Sequence, residues 1–77
     1  MPNPRSMRRL DSAALFAALD QHRRAQGLSW TALARLTGVS VATIRRIEHG
    51  RRMEVDGLLA LVGWLGVPVE TFVRDDH

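Results

Sequence analysis

The chain has 77 residues, 45% of them hydrophobic and 5% aromatic, so it is the size of one small domain, and its composition favours packed helices over a sheet. It contains no cysteine, which excludes disulfides and thiolate metal sites. Every basic residue is an arginine and the net charge is +3, which suits a partner that carries phosphate.

The first ten residues hold three arginines and two prolines with few apolar side chains, so residues 1–10 are predicted to form a flexible basic arm. The apolar run that follows is bracketed by Asp11 and Asp20, which argues against an export signal. No apolar stretch approaches the ~20 residues that a membrane span needs. We therefore expect a soluble cytoplasmic protein with one folded domain in residues 11–73 and a polar tail in residues 74–77.

The residues after the arm predict a first amphipathic helix. Its first turn can be capped by Asp11 or Ser12, and Gly27 supplies a stop. Leu15 and Leu19 lie one helical turn apart and mark the face that packs inward.

A second, shorter helix is predicted between Ser29, which can cap its first turn, and Gly38. Leu33 and Leu36 are placed on its inward face. Gly38 lacks a Cβ and can therefore adopt the left-handed backbone conformation of a tight turn.

A third helix is predicted from Ser40 to Gly50, with Ile44 and Ile47 as its buried stripe. Its outer face is exposed and partly basic, and includes Val41, Ala42, Arg45 and Arg46. Two short helices joined by a glycine turn, the second with a basic outer face, have the geometry of a helix that enters the major groove, which is ~12 Å wide.

The last third of the chain predicts two more helices. The fourth has apolar residues at helical spacing, namely Val55, Leu58, Leu61, Val62 and Leu65, and ends at Gly66. A short fifth helix runs through Phe72. The predicted fold class is thus all-α, with five helices in one compact domain.

Together these signals resemble the Cro/phage-repressor (XRE-like) helix-turn-helix family over roughly residues 12 to 73. The matching residues are Gly27-Leu28-Ser29, Leu33-Ala34, Gly38-Val39-Ser40, Thr43-Ile44, Ile47-Glu48, Gly50, Leu58, Leu61 and Leu65-Gly66-Val67. The resemblance implies a lambda-repressor-like domain that binds double-stranded DNA as a homodimer, usually at an inverted-repeat operator. It also implies transcription regulation, most simply as a repressor.

The resemblance implies which side chains contact DNA. Val41, Ala42 and Arg46 would face base edges, where Arg46 can donate two hydrogen bonds to guanine. Arg45 would reach either a base or a phosphate. Phosphate contacts would come from the helix ends and the loop after the third helix, at Ser29, Trp30, Thr31, Thr43, His49, Arg51 and Arg52.

Trp30 departs from the family, which commonly has glutamine at this position. Its indole N–H can make the phosphate contact, or the ring can pack on the protein while backbone amides and Thr31 hold the phosphate. His49 is a second departure, because asparagine is frequent there.

The resemblance implies two further features. Arg23 and Glu48 would form an ion pair between the first and third helices. A dimer interface would include Val69, Phe72 and Val73, whereas Trp64 is expected in the core or at its edge, with the dimer interface as its alternative position.

Other function classes have less support in the sequence. The main alternative is an antitoxin or adaptor that keeps this fold but binds a protein, such as a toxin, through the fourth and fifth helices. No nucleophile motif, phosphate-binding glycine loop or metal-ligand pattern occurs, so neither an enzyme nor a bound cofactor is expected. Arg5, Arg8 and Arg9 would serve either as a groove-reaching arm or as solubilising charge.

Overall fold

Four α-helices form most of the protein in a computed structural model that describes residues 7–76. They are α1 (Ser12–Ala25), α2 (Trp30–Thr37), α3 (Val41–Glu48) and α4 (Val55–Leu65). A 3-10 helix (Val69–Phe72) follows α4, and two short strands, β1 (Met7–Leu10) and β2 (Val73–Asp76), lie before α1 and after the 3-10 helix.

Each of the first three helices begins where a side chain accepts a hydrogen bond from the amide three residues later. The acceptors are Asp11 Oδ1 for Ala14 N at 3.0 Å, Ser29 Oγ for Ala32 N at 3.0 Å, and Ser40 Oγ for Thr43 N at 3.1 Å. Each cap satisfies an amide that the helix leaves unpaired and contributes about 1 kcal/mol. The three predicted helix starts are therefore confirmed.

The turn between α2 and α3 depends on Gly38. Its φ of 75° lies in the left-handed region, and its N–H donates to the carbonyl oxygen of Ala34 at 2.8 Å. The next residue, Val39, is buried, so the turn is fastened to the core as soon as it leaves α2. This arrangement fixes the direction in which α3 starts.

The core is made of apolar side chains from every helix. Its buried members are Leu15, Leu19, Leu33, Val39, Ile44, Ile47, Leu61, Val62 and Phe72. Ile44 and Ile47 of α3 are almost completely buried, as the helical spacing predicted. Because these two side chains face the core, the opposite face of α3 points to solvent.

Two apolar residues that the sequence placed inward lie on the surface instead. Leu36 is 64% exposed and Val55 is 65% exposed. Leu33 already fills the contact between α2 and the core, and a residue three positions later is rotated by about 60° around the helix axis. Val55 is the first residue of α4 and precedes the turn in which Leu58 packs against the core.

The prediction of five α-helices is wrong, although the all-α class fits the body of the domain. The segment expected to be the fifth α-helix forms only the short 3-10 helix Val69–Phe72. At the two ends of the described chain, β1 and β2 pair as an antiparallel sheet in which Leu10 lies opposite Val73 and Arg8 lies opposite Asp75.

The sheet corrects the prediction of a flexible arm and a polar tail for the residues that it contains. Leu10 is partly buried against the core, and its strand partner Val73 is half-buried, so the pairing covers apolar surface. The two strands are far apart in the sequence, and only the folded helices bring them together. Residues 1–6, with Arg5, and His77 lie outside the described residues.

Candidate nucleic-acid interface

The outer face of α3 carries the residues predicted to contact bases. Ala42, Arg45 and Arg46 are exposed, and Val41 is half-buried at the start of the helix. The side chain of Arg46 makes no hydrogen bond or ion pair with any residue between 7 and 76, so its guanidinium is available to a ligand. The buried side chains of the opposite face hold α3 in a fixed orientation while this face remains open.

Arg45 is more constrained than its neighbour. Its Nη1 lies 3.2 Å from Glu48 Oε2, one turn further along α3. Its guanidinium carbon also lies 5.7 Å from the centre of the Trp30 ring, on α2. Both Arg45 and Glu48 are solvent-exposed, so the pair holds Arg45 only weakly and can open when a stronger acceptor arrives.

The start of α2 presents backbone donors. The Ser29 hydroxyl accepts from Ala32 N, and Leu33 N donates to the Ser29 carbonyl oxygen. Within the described part of the chain, the amides of Trp30 and Thr31 have no acceptor, as is usual for the first turn of a helix. These amides and the exposed Thr31 hydroxyl remain predicted phosphate ligands.

The Trp30 ring packs on the protein, and which groups hold the phosphate stays a prediction. It stacks on Phe16 of α1 with ring centres 5.2 Å apart, and the Arg23 guanidinium carbon lies 4.4 Å from its centre. Its indole N–H makes no hydrogen bond with the residues that the structure describes. The tryptophan therefore joins α1 to the start of α2, and glutamine has no ring with which to do this.

The expected ion pair between Arg23 and Glu48 is absent between these two described residues. Arg23 Nη2 lies 2.6 Å from Asp20 Oδ1 instead, and its Nη1 donates to the Leu28 carbonyl oxygen at 2.7 Å. Asp20 lies one turn earlier on α1, so it reaches Arg23 without crossing between helices. Glu48 forms its ion pair with Arg45 instead. The hydrogen bond from Arg23 is the main cause that lowers the pKa of Asp20, against the opposing effect of partial burial.

The loop after α3 carries exposed basic side chains. Arg51 N donates to the Arg46 carbonyl oxygen at 2.9 Å, which ties the loop to the last turn of α3. His49, Arg51 and Arg52 are exposed, and neither arginine has an ion-pair partner among residues 7–76. At the other end of the helix, Thr43 Oγ1 lies 2.9 Å from Ser40 Oγ and is partly exposed.

The residues predicted to form a dimer interface differ in their exposure. Phe72 is only 5% exposed, because the 3-10 helix turns its ring into the core between α1 and α4, so it is not an available interface residue. Trp64 packs edge-on against His22 of α1, with ring centres 4.6 Å apart. Val69 and Val73 are half-buried. Sequence reasoning missed Leu59, which is 51% exposed one turn after Val55 on the same face of α4.

No three His, Cys, Asp or Glu side chains of the described residues are grouped so that they could hold a metal ion. None of the helices found in residues 7–76 is long and apolar enough to cross a membrane.

Comparison with known families matches the chain to a helix-turn-helix domain over residues 14–72. The chain belongs to this helix-turn-helix family. The match runs from the first turn of α1 to the end of the 3-10 helix and contains the capped helices α2 and α3, the Gly38 turn and the exposed face of α3. No curated protein and no solved structure gives a significant match to this helix-turn-helix protein.

The β1–β2 sheet lies outside the matched segment of the helix-turn-helix protein. Through it, Arg8 and Arg9 come to line the same cleft as Arg51 and Arg52. Sequence reasoning left the first two arginines without a fixed position. The only signal in the sequence was the pair of opposite charges at the two chain ends, Arg8 and Asp75, which has no meaning until the strands are known to meet.

Proposed function

We propose that this protein binds double-stranded DNA in a sequence-specific manner, as a homodimer that inserts one α3 from each copy into the major groove and represses transcription. One observation carries the proposal: α3 is held by its buried residues Ile44 and Ile47 while its opposite, basic face stays open. A major groove ~12 Å wide accepts a single α-helix, and every base pair displays a distinct set of donors and acceptors there. The protein would act in the cytoplasm, on the nucleoid.

Within this function Arg46 reads a guanine. It has the two parallel donors that match guanine O6 and N7, and no described residue competes for them. Val41 and Ala42 contact apolar groups of the bases, such as the thymine methyl. Arg45 reaches a phosphate or a base after its exposed contact with Glu48 opens.

The residues around α3 bind phosphate and set the register of the protein on the duplex. The amides at the start of α2 carry the positive end of the helix dipole, and Thr31 and Thr43 offer hydroxyl groups. His49, Arg51 and Arg52 grip the backbone beyond the other end of α3. Such contacts raise the affinity for every sequence and make binding sensitive to salt.

The reach of one recognition helix supports a homodimer. The eight residues of α3 span about 12 Å, which covers about four base pairs at ~3.4 Å each. Two copies related by a twofold axis read two such half-sites about 34 Å apart, on an inverted repeat. The exposed pair Val55 and Leu59 on α4 is the best-supported contact between copies, since Phe72 is buried and Trp64 is turned toward α1.

The test is selection of duplexes from a random library, followed by titration of the selected duplex with the parent and two variants. Arg46→Ala is expected to lose about 1 to 3 kcal/mol of discrimination at one base pair. Arg51→Ala is expected to weaken binding to all duplexes alike. It should also make the negative slope of log affinity against log salt less steep by about one. Arg24→Ala, a change of the same charge on the exposed side of α1, serves as the matched control and should behave like the parent.

Two results would contradict the proposal. The first is a parent protein that selects no preferred sequence even at low salt. The second is an Arg46→Ala variant that keeps the sequence preference of the parent and differs from it only in the salt slope, as Arg51→Ala does.

A second candidate function, an antitoxin or adaptor that binds another protein, is favoured by the exposed apolar residues Val55 and Leu59 on α4. A purified candidate toxin, from a gene next to that of this protein, provides the test. Binding of that toxin that is lost in Leu59→Glu, while the variant still selects the same duplex as the parent, would support this function. Unchanged toxin binding by Leu59→Glu would count against the α4 surface.

A further inference from the structure

A cleft of about 450 Å³ lies between β1 and the loop that follows α3. Arginines from two distant parts of the chain line it, Arg8 and Arg9 from β1 and Arg51 and Arg52 from the loop. We call it the arginine cleft. The helix-turn-helix match begins at residue 14, so half of these arginines lie outside the matched segment.

The arginine cleft is lined by basic, apolar and small polar residues. No acidic side chain of the described residues lines it. Arg8 Nε lies 3.5 Å from Asp75 Oδ1 on β2, but both side chains are largely exposed, so water and salt weaken this pair. Arg51 and Arg52 have no ion-pair partner in the described part of the protein. The cleft therefore favours a ligand with more than one negative charge.

The base of the arginine cleft is apolar. Leu10, Met53 and Leu58 line it and are half-buried, whereas the four arginines are exposed and form the rim. An occupant that presents negative charge to the rim and hydrocarbon to the base satisfies both. The sugar-phosphate backbone of DNA has this chemistry, with charged phosphates separated by deoxyribose carbons.

The position of the arginine cleft connects it to the recognition helix. Gly50 lies at its edge, two residues after α3 ends at Glu48. The hydrogen bond from Arg51 N to the Arg46 carbonyl oxygen fixes the loop side, and the pairing of β1 with β2 fixes the strand side. The cleft is thus held next to the end of α3, where we expect the backbone of a duplex whose bases are read by α3.

We propose that the arginine cleft binds the DNA backbone next to the base pairs that α3 reads, and that β1 is a fixed part of the DNA-binding surface. The proposal rests on the proposed function, and it assigns Arg8 and Arg9 to phosphates outside the half-site. Their contribution is independent of sequence, because a phosphate carries no base identity.

The experiment measures the affinity for the selected duplex at several salt concentrations, using the full chain and three variants. The slope of log affinity against log salt is negative, and Arg8→Ala is expected to make it less steep by about 0.9, the value for one phosphate contact. Between about 50 and about 200 mM salt, the affinity of the parent then falls about three- to fourfold more than that of Arg8→Ala. Arg24→Ala, whose side chain is 73% exposed and lines no part of the cleft, is expected to keep the parent slope.

Asp75→Asn supplies a change in the opposite direction. It removes the negative charge beside Arg8 and is expected to tighten binding to the selected duplex and to random duplexes by the same factor. A gain of affinity cannot come from a variant that fails to fold, so this result supports the proposal even if Arg8→Ala is unstable.

The proposal is overturned if the parent selects a duplex while Arg8→Ala keeps the parent slope and Asp75→Asn keeps the parent affinity. The proposed function then stands. Saturable binding of adenosine triphosphate that Arg8→Ala abolishes, with the DNA salt slope unchanged, also overturns it, because the cleft would then belong to a small phosphorylated ligand. A parent that prefers no duplex at all removes the proposed function as well, and is recognised by the selection step alone.

Discussion

Arg23 and Trp30 join α1 to the start of α2 through a contact that combines charge, ring and backbone. The guanidinium of Arg23 lies against the indole ring, donates to Asp20 on its own helix and donates to the Leu28 carbonyl oxygen before α2. Its Nε is buried without a hydrogen-bond partner among the described residues. The position of the guanidinium therefore lets Nη1 and Nη2 donate hydrogen bonds but leaves Nε without an acceptor. This contact replaces the ion pair from Arg23 to Glu48 that the resemblance implied.

The state of Asp20 gives a prediction for acid stability. Since its pKa is lowered below the ordinary value of 3.8 in the folded protein, mainly by the Arg23 hydrogen bond, its stabilising effect is complete above about pH 4. The effect is lost as the pH falls through the lowered pKa. The free energy of unfolding of the parent should therefore fall more steeply below about pH 4 than that of Asp20→Asn, as measured by urea denaturation across that range. Parallel profiles for the two proteins would contradict the assigned role.

Local signals were enough to predict the helices that present the site. The caps at Asp11, Ser29 and Ser40 and the turn at Gly38 act within a few residues, so they are visible in the sequence, and the face of α3 follows from the spacing of its two isoleucines. The same reasoning failed where tertiary contacts decide.

Helical spacing by itself does not locate the edge of the core, and it therefore placed Leu36 inward. The 3-10 helix and the β1–β2 sheet depend on how the two chain ends meet. Arg23 pairs with Asp20 on its own helix and not with Glu48, the partner that the resemblance implied. At the site, sequence reasoning named the face of α3 and the loop after it, but it had no means to place Arg8 and Arg9 beside that loop.

Two glycines at the element scale should respond oppositely to the same change. Gly63 lies inside α4, and a Cβ built there meets no atom within 4 Å, so Gly63→Ala should stabilise the protein by about 0.5 to 1 kcal/mol through helix propensity. Gly38 has equal space but a φ of 75°, so Gly38→Ala should destabilise it by about 1 to 2 kcal/mol. For a domain of this size, each kcal/mol shifts the melting temperature by about 4 to 8 °C.

Thermal unfolding of both variants beside the parent tests this pair of predictions. Since both substitutions add the same methyl group, a shift in the same direction for both would show that backbone conformation is not the deciding factor.

At the scale of the whole molecule, the domain combines a small core with a short α3. Ile44 and Ile47 hold α3 against this core, and the eight residues of α3 have a reach of only about four base pairs. In the proposed dimer, a second copy of α3 doubles the number of bases read, and neither copy needs a larger core. The exposed Leu59 and Val55 are the apolar residues of α4 that the core does not use.

In the proposed dimer, the contact between the two copies depends on Leu59. Leu59→Glu places a charge in the proposed contact between copies and should raise the dissociation constant of the dimer by about tenfold or more, which corresponds to at least about 1.4 kcal/mol. Ala17→Glu adds the same charge on the exposed side of α1 and is the matched control. Sedimentation equilibrium measures the association of all three proteins.

Because the selected duplex holds two half-sites, Leu59→Glu should lose more affinity for it than for a duplex with one half-site. Ala17→Glu should keep the affinity of the parent for both duplexes. A parent that sediments as a monomer while it saturates the two-half-site duplex, or equal weakening by both glutamates, would contradict a dimer formed through α4.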